Sequence, residues 1–390
     1  MRLFIEPTEP LLFRTGRPFD VGENNFAETL FPPTPETIQG AVRAAIATNW
    51  NRGQSLAENF ADTDLVNLIG IYNDYGRFRI TSFSLGRYER RKLHSNGQTM
   101  GEIERLFPAP SHILQDENGS EQIRLEPRSQ NHVLTNLSKD LWLLYADTQN
   151  ADSKLELLKG WLTEQDLHIA LQTQDQIDPK HIVKDGDIYV KESRLGIGMN
   201  NKAKTTEEGM LYQVQMIRMN HDPNSKYSYG FVVDIGLNPP SDQGIQKTLH
   251  LPNSGWITLG GERRAAYFEV IHSTTNDTGE FAPERQTKGN LLYLATPASL
   301  DRGWQPEVWP TEHQPITASI TRYQSIGGWK LNPGRYNDGE NKVMHRCVPA
   351  GSVYFFNEEI TLRQPLTDHG QEIGYGIAYI GQWNKGEANK

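Results

Sequence analysis

The alternation of apolar and polar positions along the chain predicts mostly short strands. Residues 77–85 alternate with apolar side chains on one side, as a half-buried strand does. Residues 2–5 and 11–13 form one broken first strand, because Pro7 and Pro10 interrupt the backbone pairing. The other predicted strands lie at 141–145, 229–235, 256–259, 267–271, 291–295, 316–323, 352–356 and 376–381.

Two segments instead carry the spacing of helices. In LFPPTPETIQGAVRAAIATNW, Thr34 is a suitable N-cap and Pro35 suits the first helical position. Isoleucine or valine recurs at every fourth position over 38–46, which predicts an amphipathic helix that packs on a sheet. The leucine-rich stretch 154–172 predicts two short helices with a break near Thr163.

The order of these elements predicts an α+β protein made of two related halves. Each half has a coarse strand–helix–strand order, which suggests a duplication with a boundary near residue 220. Residues 86–128 lose the alternation and carry a basic group at 87–92, as in an insertion or a mobile loop.

Composition limits the function classes. The 390 residues carry a net charge of −9, whereas proteins that coat nucleic acid by bulk charge are basic. Any RNA must therefore bind a local basic face, while the acidic remainder faces solvent or protein.

Cys347 is the single cysteine, which excludes an intramolecular disulfide. The proline- and glutamate-interrupted N-terminus and the lack of a long apolar run predict a cytoplasmic protein without a membrane span.

The local signatures of catalysis are missing. The eleven histidines are scattered, and HExxH, GxxxxGK[ST] and GxSxG do not occur. The tail GYGIAYIG fails the GxGxxG pattern because Tyr379 takes the third glycine position, and Cys347 suits a buried hydrophobe better than a nucleophile. We therefore predict a protein that is not an enzyme, with no catalytic residue, metal site or cofactor. Metal-free RNA cleavage stays open, since it needs only a general base and a cation.

Four glycine-containing segments could bind RNA, through contacts to its phosphates and through close approach of the protein backbone to the RNA. They are the opening loop FRTGRPFDVGENNF, the segment SRLGIGMNNKAKTTEEGMLY, the turn LGGERRAAYF and the tail GQEIGYGIAYIGQW. Each segment also has a purely structural alternative. The opening loop could be a turn held by arginine–carboxylate pairs, and the second segment a solvated hairpin. The LGGERR turn could be a bulged strand start with exposed charges, and the tail a strand with glycines for close packing. The candidate RNA-binding residues are Arg14, Arg17, Arg194, Asn200, Lys202, Lys204, Arg263, Arg264, Gly374, Gly376 and Gly381.

Several blocks of sequence resemble a known family in the expected order. PLLFRTGRPFDVGENNFAETLFPPTPETIQGAVRAAI and GYGIAYIGQW resemble the third-subunit family of the Cmr complex, the type III-B CRISPR effector, within the RAMP superfamily of RRM-like proteins. RLGIGMNNKAKTTEEGMLY, LGGERR, LATPASLDRGWQP, IGGWK and VPAGSVYFF continue the resemblance, which covers nearly the whole chain. Only residues 86–134 match no motif of the family.

The resemblance implies two tandem ferredoxin-like (RRM-like) domains with insertions and a thumb-like hairpin. The first would span 1–220, with an insertion at about 86–134 and the hairpin at about 194–213, and the second 221–390, with a Gly-rich tail loop. It implies a non-catalytic subunit of an antiviral ribonucleoprotein that binds the 5′ repeat-derived tag of the guide RNA (crRNA). The implied protein partners are the large polymerase-like subunit, the backbone RAMP subunits and, as a further candidate, the small subunit.

The resemblance also assigns roles to particular residues. The tail glycines would lie along guide RNA, Arg194 and Lys202 would meet phosphates, and Met199 or Met210 would wedge between nucleotides. Two alternatives stay open at this point: a metal-independent RAMP endoribonuclease that processes CRISPR transcripts, and a scaffold that contacts only protein.

Overall fold

The computed structural model of the chain describes most of the sequence. The described residues are 1–15, 26–51, 53–71, 74–89, 102–117, 119, 121–130, 134–147, 154–173, 175–200, 204–220, 225–239, 249–271, 288–331 and 339–384.

The described elements are mainly strands. The helices are α1 (Pro35–Trp50), α2 (Leu56–Asn59), α3 (Thr63–Ile69), α4 (Glu164–Gln172) and α5 (Asp185–Ile188). The strands are β1 (Arg2–Pro7), β2 (Phe26–Ala27), β3 (Phe78–Glu89), β4 (Ile103–Pro108), β5 (Ile113–Asp116), β6 (Gln122–Arg128), β7 (Leu143–Ala146), β8 (Leu155–Leu157), β9 (Trp161–Thr163), β10 (Tyr189–Asn200), β11 (Thr205–Met219), β12 (Tyr227–Leu237), β13 (Ser254–Leu259), β14 (Arg264–Ile271), β15 (Gly289–Leu294), β16 (Ala298–Ser299), β17 (Thr317–Ser319), β18 (Gln324–Ile326), β19 (Trp329–Leu331), β20 (Gly339–Asn341), β21 (His345–Val348), β22 (Val353–Ile360) and β23 (Ala378–Gly381).

The predicted first helix is confirmed together with its cap. The side chain of Thr34 accepts a hydrogen bond from the backbone N–H of Thr37 at 3.3 Å, and Pro35 opens α1. Ile38, Val42 and Ile46 are fully buried, as the fourfold spacing predicts. These three side chains anchor the helix to the core of the first sheet.

The first sheet has seven strands in the order β13-β14-β1-β12-β3-β4-β9, and every neighbouring pair is antiparallel. Its inner strands β14-β1-β12-β3 follow the order of a βαββαβ ferredoxin-like sheet. Because β12 and β14 pair directly with β1, this sheet continues to Ile271. It therefore does not end near residue 220, where the sequence suggested a boundary.

A second antiparallel sheet, β17-β22-β15-β23, repeats that strand order. The described residues 295–316 and 361–377 contain no α-helix. Instead, α4 from the first half packs Leu167 and Leu171 against this sheet, and the backbone carbonyl of Leu171 accepts a hydrogen bond from Gln382 N–H at 2.7 Å. The protein is thus α+β with mostly antiparallel sheets and few helices, while its division into tandem ferredoxin-like domains stays a prediction.

Two local predictions were wrong. The first half of 154–172 forms strands β8 and β9, because Leu155–Leu157 pairs with β5 and Trp161–Thr163 with β4. The described parts of 86–128 are not a loop, since they supply the end of β3 and strands β4 to β6, while the prediction of an insertion stays open. The basic residues at 90–92 lie outside the described residues. In both places, pairing with distant strands outweighs the local pattern.

A buried arginine joins the two sheets. Arg105 of β4 is 3% exposed, and its guanidinium donates a hydrogen bond to the hydroxyl of Tyr379 on β23 at 2.9 Å. Glu164 at the start of α4 lies 3.9 Å from the same guanidinium. No helix in the described part of the chain is both long and apolar enough to span a membrane.

Candidate nucleic-acid interface

The short stretch 11–13 contacts the base of the hairpin and one of the predicted segments, the LGGERR turn. Leu11 N–H donates to the carbonyl of Ile217 at the hairpin base, at 2.7 Å. The carbonyl of Leu12 accepts a hydrogen bond from Gly261 N–H of the LGGERR turn at 2.8 Å. The carbonyl of Phe13 accepts a hydrogen bond from Leu30 N–H, shortly before α1, also at 2.8 Å. The start of the opening segment, the base of the hairpin and the LGGERR turn therefore lie next to one another.

The predicted hairpin is a long two-stranded ribbon of β10 and β11. Its base is anchored because Ile217 and Met219 are buried. Towards the tip one face becomes apolar and exposed, with Leu195 72% and Met199 53% exposed. Met199 is thus available as a wedge, whereas Met210 lies in β11 with its side chain outside the described residues.

Most of the predicted hairpin cations are either engaged or outside the described part. Arg194 lies 2.7 Å from a carboxylate oxygen of Glu192, and Arg218 lies 2.7 Å from the other oxygen. The hydrogen bond from Arg194 is the main reason that the pKa of Glu192 falls below its ordinary value. Lys204 is exposed beside the tip. Lys202 lies outside the described residues, and Asn200 ends β10 with an undescribed side chain.

The other predicted arginines differ in their surroundings. Arg14 is exposed, and its backbone pairs with that of Thr29 in an antiparallel bridge outside the named strands. Arg17 lies outside the described residues. Arg264 forms an ion pair with Glu262, whereas the structural alternative for this turn was a strand start with exposed charges. Arg263 is exposed and has a positive φ of 50°.

The tail glycines are buried against protein. A Cβ added to Gly381 would lie 2.7 Å from the carbonyl oxygen of Leu171, and one added to Gly374 would lie 2.9 Å from the side chain of Ile80. Gly376 has a φ of +68° and packs equally closely on the Leu366 carbonyl. Close packing accounts for these three glycines, and their contact with RNA stays a prediction.

The surface beside the hairpin base contains a cleft that the sequence did not reveal. We call it the hairpin-side cavity, a space of about 340 Å³ between the opening segment, β10 and β18. Its lining residues are Thr15, Glu28, Thr29, Leu30, Phe31, Tyr189, Lys191, Arg322, Tyr323, Gln324 and Ser325.

Three cations and one aromatic ring mark the mouth of this cavity. Tyr323 is 48% exposed, and the guanidinium of Arg346 lies 5.2 Å from the centre of its ring. Lys191 and Arg322 line the same cavity. Within the described residues, none of the three cations forms an ion pair with a carboxylate. The adjacent pair Arg322–Tyr323 was the one available sequence signal, whereas Lys191 and Arg346 join it only through tertiary structure.

A second cavity of about 570 Å³, which we call the histidine-side cavity, is lined by Ile326 of β18 together with residues of β21 and the segment 369–375. The rings of His345 and His369 lie 5.3 Å apart here, and His369 Nε2 lies 2.7 Å from a carboxylate oxygen of Asp301. Lys342 forms an ion pair with Glu36 at the start of α1. The histidines looked scattered in the sequence, but the fold brings these two together.

The lining of this cavity also includes the buried residue Cys347. The residue is 1% exposed, and burial raises the pKa of its thiol to about 11. The thiol therefore stays protonated at neutral pH, which makes it a poor nucleophile. The described residues hold no cluster of three or more histidine, cysteine, aspartate or glutamate side chains that is suited to a metal ion.

Comparison with known proteins places the chain in a family. Two cryo-EM chains from structures described as the type III-B Cmr-beta bound to cognate target RNA, one of them also with AMPPnP, are 18% identical to it. They cover 91% of this chain and 86% of their own, with a TM-score of 0.44. A chain of a Csm3–Csm4 subcomplex of the type III-A CRISPR–Cas interference complex is 12% identical over 93% of this chain and 94% of its own, with a TM-score of 0.30.

No curated protein matches the chain by sequence. The model of one family, described as CRISPR-associated protein (Cas_Cmr3), matches residues 3–383. That match extends from the first strand to beyond the last, so the chain belongs to the Cas_Cmr3 family of CRISPR-associated proteins.

Proposed function

We propose that this chain is the subunit of a type III-B Cmr effector particle that binds the 5′ repeat-derived tag of the guide RNA. In this role it bridges the large polymerase-like subunit to the backbone subunits during antiviral defence in the cytoplasm. Family membership supports the assignment to a CRISPR system. The proposal of RNA binding rests on one observation. The exposed ring of Tyr323 lies among three cations that form no ion pair with a carboxylate in the described part of the chain.

This arrangement suits single-stranded RNA. Bases stack on exposed aromatic rings, with a contribution of about 1–3 kcal/mol per base, while Lys and Arg contact the phosphates. Tyr323 offers the ring, and Lys191 and Arg322 lie beside it on the cavity wall. An otherwise acidic chain with a net charge of −9 thus keeps a local basic surface, as RNA binding requires.

The hairpin extends from the same region and provides the second element of the proposed site. Its exposed apolar residues Leu195, Ile197 and Met199 project from a ribbon whose base reaches the hairpin-side cavity through Tyr189 and Lys191. An apolar side chain presented in this way can separate neighbouring bases, which is the wedge role proposed for Met199. The repeated strand order of the two main sheets supports the further proposal that both are RRM-like units of a RAMP protein.

We propose that the role is non-catalytic RNA binding, and affinity measurements test the binding part of this proposal directly. The purified chain should bind a guide RNA that carries the 5′ tag more tightly than the same RNA without the tag. Tyr323→Ala should remove most of this preference. Tyr145→Ala is the control, because Tyr145 also has an arginine near its ring but lies in the separate sheet β7-β6-β5-β8.

Two outcomes would contradict the proposal. Equal affinity for tagged and untagged RNA would remove the basis for tag recognition, and normal assembly of the particle on tagged guide RNA without this chain would remove its role. If the chain bound no RNA but still joined the particle, a scaffold that contacts only protein would be the better description.

One observation favours a second candidate function, metal-independent RNA cleavage. His345, His369 and Lys342 line one cavity, and Asp301 lies 2.7 Å from His369. Two imidazoles and a cation can move the protons and stabilise the charge of phosphodiester cleavage. Incubation with repeat RNA in a chelator tests it. A cyclic-phosphate product that disappears in His369→Ala would establish cleavage. If the RNA stays intact, RNA binding without cleavage remains the supported function.

A further inference from the structure

The first sheet has a second face, opposite the one that packs on α1. Leu3 and Ile5 of β1 point into the core with α1, so the alternate residues Phe4 and Glu6 point to the other side. Cross-strand pairing extends this second face over three strands, because Phe4 pairs with Glu269, Glu6 with Tyr267, and Tyr267 with Trp256. We call Glu6, Trp256, Tyr267 and Glu269 the aromatic–acidic face.

Its aromatic part is open to solvent. Trp256 on the edge strand β13 is 66% exposed and meets Tyr267 edge to face, with ring centres 5.6 Å apart. Further along the same face, Phe4 is fully buried and packs edge to face on Tyr88 at 5.3 Å, which holds this part of the sheet rigid. A large indole on a rigid support is typical of an interface residue, since Trp contributes much contact area at little cost in entropy.

Its charged part is acidic. Glu6 accepts a hydrogen bond from the hydroxyl of Tyr88 at 3.1 Å, and Glu269 forms no hydrogen bond or ion pair within the described residues. Burial and the neighbouring Glu6 raise the pKa of Glu269, which indicates that a second negative group lies close by. Arg2, on the same face, is held by Asp234 through two contacts of 2.6 and 2.7 Å.

These charges decide between two kinds of partner. The sheet face of an RRM-like unit with exposed aromatic residues is a usual platform for RNA bases. Here the phosphates of an RNA strand would approach two carboxylates, and like charges repel. A guanidinium has the opposite preference, because it stacks on Trp and Tyr rings and pairs with carboxylates in one plane.

We propose that the aromatic–acidic face docks a protein partner through an arginine that lies over Trp256 and Tyr267 and pairs with Glu6 and Glu269. This face is separate from the cleft, so the inference does not depend on RNA binding there. It gives the chain two surfaces of opposite charge: a basic cleft for RNA and an acidic sheet face for protein. Such a division explains how an acidic chain can serve in a ribonucleoprotein.

The test measures association with protein after RNA has been removed. The immobilised full-length chain is exposed to the nuclease-treated protein subunits of its own particle, and their affinity is determined. Glu6→Gln/Glu269→Gln keeps both side-chain shapes but removes both charges, and should weaken this association by about tenfold or more. The control is Glu358→Gln/Glu359→Gln, which makes the same change of net charge on exposed residues of β22.

A competitor identifies the chemistry of the contact. N-acetyl-arginine amide should release the bound subunits at concentrations at which N-acetyl-citrulline amide, its neutral analogue, does not. Loss of both carboxylate charges should also leave affinity for tagged RNA unchanged. Folding is checked by thermal unfolding, and the variant is expected to be at least as stable because the repulsion between the two carboxylates is gone.

Several results would overturn the inference. Unchanged protein association in Glu6→Gln/Glu269→Gln would do so, as would equal release by the arginine and citrulline amides. Weaker RNA binding in Trp256→Ala, or tighter RNA binding in the double Gln variant, would identify the face as an RNA platform instead. These results can be distinguished from a failure of the proposed RNA site in the cleft. In that case Tyr323→Ala would leave both the affinity for RNA and the association with protein unchanged.

Discussion

Removing the three cations at the mouth of the cleft tests the proposed RNA interface most directly. Lys191→Gln/Arg322→Gln/Arg346→Gln replaces three charged side chains by polar ones on exposed positions. None of the three forms an ion pair with a carboxylate in the described part of the chain, so the substitution leaves no buried charge without a partner. We therefore expect the variant to fold normally and to lose phosphate contacts, together with the contact between Arg346 and the Tyr323 ring.

The size of the effect follows from counterion release. Each cation that neutralises a phosphate of single-stranded RNA contributes about 0.7 units to the slope of log K against log salt. Three cations contribute about two units, so the slope of the variant should be shallower by that amount. Because the lines converge near 1 M salt, the variant should bind about a hundredfold more weakly at about 0.1 M and almost equally at about 1 M.

Fluorescence anisotropy of a labelled tag RNA over a salt series measures both quantities. The control is Arg128→Gln/Lys159→Gln/Arg363→Gln, which changes the net charge equally. Those three cations lie 3.0–3.2 Å from carboxylates elsewhere on the surface. An unchanged slope in the cleft variant, or an equal change in the control, would refute the reasoning.

Three further predictions concern single residues. Tyr323→Phe should keep RNA affinity, whereas Tyr323→Ala should lower it by about 1–3 kcal/mol, as filter binding can show; equal losses would argue against stacking. Gly381→Ala should lower the unfolding free energy by about 1–3 kcal/mol, because the added Cβ would lie 2.7 Å from the Leu171 carbonyl oxygen. Gly40→Ala in α1, with no atom within 4 Å of its Cβ, should instead raise it by about 0.5–1 kcal/mol, and urea unfolding distinguishes the two. Weaker RNA binding by Gly381→Ala at unchanged stability would support the tail–RNA contact. Burial lowers the pKa of His112 from 6.5 to about 3, so the unfolded chain takes up a proton more readily than the folded one. His112 therefore contributes its full stability above about pH 6.5, and this contribution falls by up to about 1.4 kcal/mol per pH unit as the pH drops towards 3. His112→Leu should flatten that part of the curve of unfolding midpoint against pH, and an unchanged curve would contradict the assignment.

Local features of the sequence were enough for the elements whose structure depends on local contacts. The cap at Thr34 and the fourfold spacing over 38–46 predicted α1, because a helix is set by hydrogen bonds and faces within a few turns. Most strands after residue 220 were also located from alternation. The leucine-rich stretch 154–172 failed, since its first half pairs with β4 and β5 and that pairing is not encoded within the segment.

The candidate site shows the same division. The sequence identified the family and named the opening segment, the hairpin and the LGGERR turn as separate candidates. Only the structure shows that hydrogen bonds to residues 11 and 12 bring the hairpin base and the turn together. The sequence could not show that Arg194 is paired with Glu192, that the tail glycines are buried, or that Lys191 and Arg346 reach Tyr323.

The sequence by itself determined the family, the elements with strong local periodicity and the acidic balance of the chain. The tertiary structure alone decided where the charge lies: a basic cleft around Tyr323 and an acidic face around Trp256 on a chain whose overall charge is −9. The reason is physical. Charge patterns and cavities form between residues that strand register and sheet packing bring together across long stretches of chain, and no local pattern specifies those distances.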